Sequence, residues 1–545
     1  MQARTPLALA VGVWCLTFGL APISGGGQPE TAARGSQAQE IFQPSSACVA
    51  CHNGLTTPAG EDVSIGVSWR SSMMANSGRD PYWLASVRRE TLDHPGLQDD
   101  IEDECSTCHM PMARAAAVAA GRKGEIFAHV GRGAGPASGL AADGVSCTLC
   151  HQISADRLGT ADSFTGRFAL RAPEGGDRQM LGPYDVSQGH TTIMQTASGV
   201  RPAPAAHIRS ADLCATCHTL ITRAFGADGR VIGRLPEQVP YLEWQHSALW
   251  REKTCQQCHM PTVEQPTAVT SVFGEPRDSM GRHTFIGGNF FMLRLLNRYR
   301  MDLAVQALPQ ELESSALATI RQLQNDTARV NIERAEAPPG MLAVDVTVTN
   351  LTGHKLPTGY PARRAWLHVT IRAATGDTVF ESGAVTPDGA IVGNDNDADA
   401  ARFEPHYDVI RRADEVQIYE SVMGDSSGAP TTGLLSAVRF LKDNRLLPRG
   451  FDKHTTSDDI AVRGGALDDA NFNGDGDHLR LEVPADRAGA PFAIDVELRY
   501  QPIAYRWAHN LSRYNAPEPR RFVSYYRDTS AASSVVIARA TTRVP

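Results

Sequence analysis

Ten of the chain's 11 cysteines fall into five copies of one five-residue pattern, and no cysteine follows the last of them. The copies are Cys48-Val-Ala-Cys51-His52, Cys105-Ser-Thr-Cys108-His109, Cys147-Thr-Leu-Cys150-His151, Cys214-Ala-Thr-Cys217-His218 and Cys255-Gln-Gln-Cys258-His259. Random placement of these residue types would produce about 0.007 such matches per chain. Zinc ribbons pair Cys-x-x-Cys units but place no demand on the next residue. Simple disulfides would not select it either. Attachment of a c-type haem does. Two thiols three residues apart bond the two vinyl groups along one porphyrin edge, and His in the next position supplies the nitrogen under the iron. The sequence therefore predicts five covalently bound haems c, held by these ten cysteines and by His52, His109, His151, His218 and His259.

The motifs begin at residues 48, 105, 147, 214 and 255. About 50 residues then serve each haem, too few to wrap it in a domain of its own. The haems must form much of the core and lie close together, as electron transfer requires. Each iron also has a far face. Outside the motifs, the region before residue 284 holds His94, His129, His190, His207, His246 and His283, a set suited to bis-histidine ligation. His207 lies seven residues before Cys214, and His190 follows Ser-Gln-Gly. His246 sits in Glu-Trp-Gln-His-Ser and His129 in Phe-Ala-His-Val. His283 lies in Gly-Arg-His-Thr-Phe-Ile-Gly-Gly, where glycines permit close approach to a flat ring. His94 precedes Pro95 in a charged stretch and reads as structural. A thioether is available at Met74, whose ligation would raise a haem's potential; adjacent methionines also serve as core filler. Asp80-Pro81 reads as a helix N-cap and first helical residue.

At these residues the chain resembles the multihaem cytochromes of the cytochrome c-554 type, which are related in haem packing to hydroxylamine oxidoreductase and the pentahaem nitrite reductases. Members carry Trp-x-x-Ser-x-His-Ala, whose His is a distal ligand. Trp69, Ser72 and Ala75 match it, with Met74 in place of the His. Members also place a His shortly before a Cys-x-x-Cys-His, as His207 stands here. A third family pattern, Gly-His-x-x-Pro-Thr-Gly, is found as Gly353-His354-Lys355-Leu356-Pro357-Thr358-Gly359. The resemblance implies that His354 reaches in as a distal ligand from the C-terminal part. It covers residues 40–360. The chain departs from the nitrite reductases in having no Cys-x-x-Cys-Lys, and from hydroxylamine oxidoreductase in having five motifs rather than eight. The resemblance implies haem arrangement and electron transfer, not a particular reaction.

Arg4, followed by an apolar stretch from Leu7 to about Ile23, reads as a secretory signal over residues 1–26, with a flexible lead at 27–40. Cys15 lies in that stretch, and Trp14 before it speaks against lipidation. No other segment is apolar for 18 residues, so no transmembrane span is expected in the mature protein. The expected organisation is a pentahaem domain at 41–284, a helical connector at 285–327 and a β-rich domain at 328–545. In fold class this is a multidomain chain: a mostly α and irregular multihaem cytochrome c domain followed by a C-terminal β-sandwich-like domain. Phe290, Leu293 and Leu296 mark one connector helix and Glu313–Gln324 a second, with Pro309 breaking the run between them. Alternating residues from Leu342, Trp366, Phe492 and Ser534 mark strands. Asp469-Ala-Asn471-Phe-Asn473-Gly474-Asp475-Gly476-Asp477 spaces oxygens as calcium loops do, but Arg480 stands where such loops carry Glu; an acidic turn is the plainer reading and Ca2+ the alternative. Asn394-Asp395-Asn396-Asp397 is a second such cluster. The net charge of −8 argues against a nucleic-acid partner. The expected function is exported, periplasmic electron transfer between redox partner proteins. The alternative is an oxidoreductase with a five-coordinate haem acting on a small nitrogen or sulfur compound.

Overall fold

The computed structural model describes residues 41–130, 138–171, 178–486 and 489–545. The signal and lead expected at 1–40 lie outside them. Short helices and loops fill the first half, and the attachment motifs sit at or just after helix ends. The longer helices there follow local rules. Asp80 Oδ1 accepts the backbone N–H groups of Tyr82 (2.8 Å) and Trp83 (3.2 Å), and Pro81 opens the helix Pro81–Asp93 as expected. Gln98–His109 follows directly and carries the second motif on its last turn.

The two connector helices are Phe290–Arg298 and Pro309–Asp326. Pro309 does not merely interrupt; it is the first residue of the second helix, where the missing N–H costs nothing. The helix is longer than expected at both ends. Phe290, Phe291, Met292, Leu293, Leu295 and Leu296 are all buried.

From Ala328 onward antiparallel sheets dominate. One sheet orders Thr378–Ser382, Arg364–Arg372, Phe492–Gln501 and Val535–Val544, with Ile418–Tyr419 also paired to Arg364–Arg372. The other orders Val409–Ile410, Gly476–Pro484, Met341–Asn350 and Ala328–Glu336, with Phe472–Asn473 on Gly476–Pro484. Phe492, Ile494, Val496, Leu498 and Tyr500 alternate inward along one strand, the period-2 pattern the sequence carried. Their core is continuous with Leu295 and Leu296 of the connector and with Val344 and Val346 of the other sheet.

The C-terminal part also grips the first half. Helix Pro517–Thr529 packs on Pro81–Asp93, with Phe522 against Tyr82 and Arg88 paired to Glu518 at 2.9 Å. The hairpin Leu220–Phe225/Val231–Gln238 meets strand Ala437–Asp443. No helix among the described residues is long and apolar enough to cross a membrane.

Candidate functional site

Each attachment motif makes a helical turn. The N–H of the motif His bonds the carbonyl of the first Cys for His52 (3.1 Å), His151 (3.0 Å) and His218 (2.9 Å), and helices Gln98–His109 and Cys255–His259 contain the other two. Residues i, i+3 and i+4 of such a turn share one face. Both thiols and the imidazole of each motif therefore point the same way, which is what the Cys-x-x-Cys-His spacing is for.

All five faces open on one cavity of about 2140 Å³. A pocket for one drug-sized ligand measures about 300–1,000 Å³, so this space suits several large ligands rather than one. The ten cysteines form no disulfides with one another. Neighbouring motifs abut through them: Cys48 beside Cys147, Cys108 beside Cys217, and Cys214 beside Cys255, each close enough to shift its neighbour's protonation. Cys150 also feels Cys217. The five attachment points thus form one unbroken cluster. Gly166 (φ +70°) permits part of this crowding, since a Cβ there would lie 2.3 Å from Thr107 and 3.3 Å from the Cys108 sulfur.

Four of the five motif imidazoles are aimed by backbone carbonyls. Nδ1 of His52 faces Val269 O at 2.6 Å, Nδ1 of His109 faces Ser77 O at 3.3 Å, and Nδ1 of His151 faces Leu181 O at 2.5 Å. Nδ1 of His259 faces Ile286 O. A carbonyl can only accept a hydrogen bond, so Nδ1 carries the ring proton and Nε2 is left bare, the arrangement a metal-binding imidazole needs. Burial, opposed at His109 by the Ser77 carbonyl, lowers His109 to about 4; burial and neighbouring positive groups lower His218 to about 4. Both rings are thus neutral at pH 7, the state that binds metal. Trp83 lies flat against His109, its ring centre 4.3 Å away, and fixes that ring's rotation.

Two further histidines complete pairs. His283 lies 6.4 Å from His151 between ring centres, with 21° between planes; His354 lies 6.2 Å from His259 with 15°. Nδ1 of His283 faces Gly281 O at 3.1 Å and Nδ1 of His354 faces Lys355 O at 3.0 Å, so Nε2 is again the free nitrogen. Imidazoles on opposite faces of one iron, with metal–nitrogen bonds of about 2.0 Å and ring centres roughly 1.2 Å behind each nitrogen, would stand about 6.4 Å apart. Both observed separations match that geometry. Burial lowers His283 to about 4 and His354 below its ordinary value.

The structure does not bring the other expected distal ligands into the same position. Met74 lines the cavity. His190 also lines it, but Ser187 Oγ lies 2.8 Å from its Nδ1 and Phe273 O lies 2.7 Å from its Nε2, so both nitrogens are engaged. His207, His246 and His129 are not on the cavity wall. Nε2 of His207 faces Ile153 O at 2.8 Å, His246 packs edge-on against Phe451, and His129 contacts Ser138. His94 is structural, close to Glu90 at 3.8 Å and to Ser436.

The calcium-like loop closes on itself. Asp469 Oδ1 accepts Asn471 N and Asn473 Oδ1 accepts Asp475 N. Asp469 and Asp477 do meet at His406. Gln417 and Asn444 both donate to His406 Nδ1, and their amide oxygens are fixed by the backbone N–H groups of Tyr407 and Glu420. His406 therefore carries its proton on Nε2 and donates it to Asp469 at 3.0 Å, which leaves no lone pair for a cation. The second acidic cluster is equally occupied. Asn394 caps the helix Asp395–Ala398, and Asp397 holds Arg364.

Sequence reasoning missed Glu237. Its carboxyl lines the cavity beside Cys105 and Cys108, accepts the Thr222 hydroxyl at 2.5 Å and is lifted to about 7, mainly by burial and further by Glu90 and Glu104. A lone Glu in a hairpin strand gave no signal of this.

No family model matches the chain, and no curated protein matches it. A solved structure does: a penta-haem cytochrome c552 from Thermochromatium tepidum, at 16% identity and a TM-score of 0.52, covering 92% of this chain and 99% of that one. At that identity the likeness concerns the fold. The chain has the fold of a multihaem cytochrome c.

Proposed function

We propose that this protein is a pentahaem electron-transfer cytochrome. The observation that carries the reading is the convergence of five Cys-x-x-Cys-His turns on one cavity, with His283 and His354 set opposite two of the motif histidines. When bound, five haems c supply one-electron chemistry at closely spaced centres. The ten thiols would anchor them, and the five motif imidazoles, four of them oriented by backbone carbonyls, would ligate from one side. His283, facing His151, and His354, facing His259, would hold two of the irons from the other side. Met74 stands as the thioether donor at the cavity wall. The penta-haem c552 of similar fold supports the count of five. Cys258 is the exposed member of the ten cysteines, so the fifth site reaches the surface and serves electron exchange with a partner protein. Export to the periplasm follows from the secretory signal read at residues 1–26 and from the need of c-type haem attachment for that compartment.

A second reading has one observation in its favour. Among the described residues, only His283 and His354 offer a free ring nitrogen opposite a motif histidine. Met74 serves one further iron at most, so others keep an open face, and Glu237 places a proton-holding carboxyl beside Cys105 and Cys108. That is the equipment of an oxidoreductase acting on a small nitrogen or sulfur compound.

The test is a reductive titration of the haem-loaded protein, followed by mixing with an oxidised c-type cytochrome. Rapid transfer of about five electrons per chain, without turnover of nitrite, hydroxylamine or tetrathionate, is expected. Turnover of one of these at an open haem would favour the oxidoreductase, and a protein that cannot be reduced would sink both readings.

A further inference from the structure

The loop that carries His354 belongs to the β-rich part of the chain, whereas His259 belongs to the fifth attachment motif. Something must hold the two in register across about 100 residues of intervening chain. One side chain is placed to do so.

Glu243 lies on the short helix Pro240–Gln245 and is fully buried. Its Oε2 accepts the Lys355 N–H at 3.1 Å and the Thr358 hydroxyl at 2.6 Å. These groups lie one and four residues beyond His354, so one carboxylate oxygen pins both limbs of the loop. Its Oε1 faces Arg445 Nη1 at 2.9 Å. Arg445 in turn holds Asp443 through Nε (2.8 Å) and Nη2 (2.7 Å), and Asp443 takes Lys355 Nζ at 2.8 Å. Two carboxylates and two cations, all buried, balance to zero net charge and close a ring around the loop.

The same helix is tied to the other ligand. Trp244, the neighbour of Glu243, donates its indole N–H to Lys253 O at 2.9 Å, two residues before Cys255. A Cβ on Gly353 would come within 3.2 Å of Trp244, so the loop rests directly on this helix. Asn350 Nδ2 fixes the His354 carbonyl at 2.7 Å from the far side. A buried carboxylate is costly unless its oxygens are used. Here one is spent on the loop that presents His354.

We propose that Glu243 is the positioning residue that holds His354 against the fifth haem, so that the β-rich part of the chain sets the ligand state of that haem. This rests on the reading of His354 as the iron ligand opposite His259. Glu243 touches neither haem nor iron; it acts through the loop backbone.

The test uses the full haem-loaded chain and the spin state of its ferric iron. Glu243→Ala should leave the haem count at five but convert one haem in five from low to high spin, and added imidazole should return it to low spin. Glu243→Gln keeps an accepting oxygen for Lys355 and Thr358 and should keep the spin-state populations of the parent. Glu243→Asp keeps the charge for Arg445 but draws the oxygen back from the loop, and should show a fraction of the same high-spin signal. This variant decides the matter if Glu243→Ala does not accumulate. His354→Ala is the reference and should give the one-in-five conversion. If His354→Ala shows no more high-spin iron than the parent, the ligation reading fails. If His354→Ala converts one haem while Glu243→Ala or Glu243→Asp leaves the parent's spin states unchanged, the positioning role is overturned and the ligation stands. Conversion by Glu243→Gln as complete as by Glu243→Ala would overturn the role of the accepting oxygen.

Discussion

Replacing Arg364 by Met should be among the most damaging single changes in the β-rich part of the chain. Arg364 is buried in the strand Arg364–Arg372, ten residues after His354. Its Nη1 and Nη2 hold the two Asp397 oxygens at 2.9 Å each, its Nε donates to Gln501 Oε1 at 2.8 Å, and Nη2 also reaches Gly389 O at 3.3 Å. At 2.9 Å and an effective dielectric constant of about 20, two unit charges attract by about 6 kcal/mol. That attraction offsets a desolvation cost of several kcal/mol per ion. Removing the cation leaves the cost of burying Asp397 uncompensated, since among the described residues the Ile391 N–H at 2.8 Å is then the hydrogen-bond donor left to its carboxylate. The expected loss is about 3–5 kcal/mol. Guanidinium titration of the haem-loaded protein at pH 7, followed by far-ultraviolet circular dichroism, measures it. The double variant Arg364→Met, Asp397→Val should recover part of the loss, because it removes both ions together. A single variant within about 1 kcal/mol of the parent, or a double variant that loses the full sum of the singles, would refute the reasoning that these charges are buried and mutually dependent.

Other outcomes follow from the same geometry. His283→Ala should convert the haem of Cys147 and Cys150 to high spin in electron paramagnetic resonance, with the haem count unchanged and low spin restored by imidazole. Asp477 is lifted to about 7, mainly by burial, although Tyr419 and Gln417 donate to it. Between about pH 4, where an unfolded Asp releases its proton, and pH 7 the folded protein keeps that proton, so this group makes stability fall as pH rises. Asp477→Asn should flatten that part of the stability–pH curve, and a slope unchanged across this window would count against a protonated Asp477.

Much of this molecule was legible because its chemistry is local. Five residues suffice to specify a haem attachment turn, and the i, i+3, i+4 face needs no tertiary information. Strands such as Phe492–Gln501 declared themselves through strict alternation, and Asp80 through its place before Pro81. The distal histidines were harder, because facing a motif ring across a cavity is a tertiary property. His283 and His207 looked alike in sequence, yet the His283 ring stands 6.4 Å from that of His151, whereas His207 turns its Nε2 to the Ile153 carbonyl. The calcium-like spacing left two readings open for a related reason: Asn and Asp oxygens at alternate positions serve turns as readily as cations, and the amides that fix the His406 tautomer come from residues 417 and 444. Helix Pro517–Thr529 escaped notice because its charged and aromatic residues show periodicity only once Pro81–Asp93 supplies the surface it packs on. Glu243 and Glu237 gave no sign at all, since burial of a single carboxyl is invisible in a linear pattern.

The central claim is that all five thiol pairs carry porphyrin, and intact mass measurement tests it most directly. Protein from a host competent in cytochrome c maturation should carry the added mass of five haems, retained after denaturation, with a pyridine haemochrome count of five per chain. A colourless protein, or one whose ten motif cysteines are paired as disulfides with no added mass, would contradict the account.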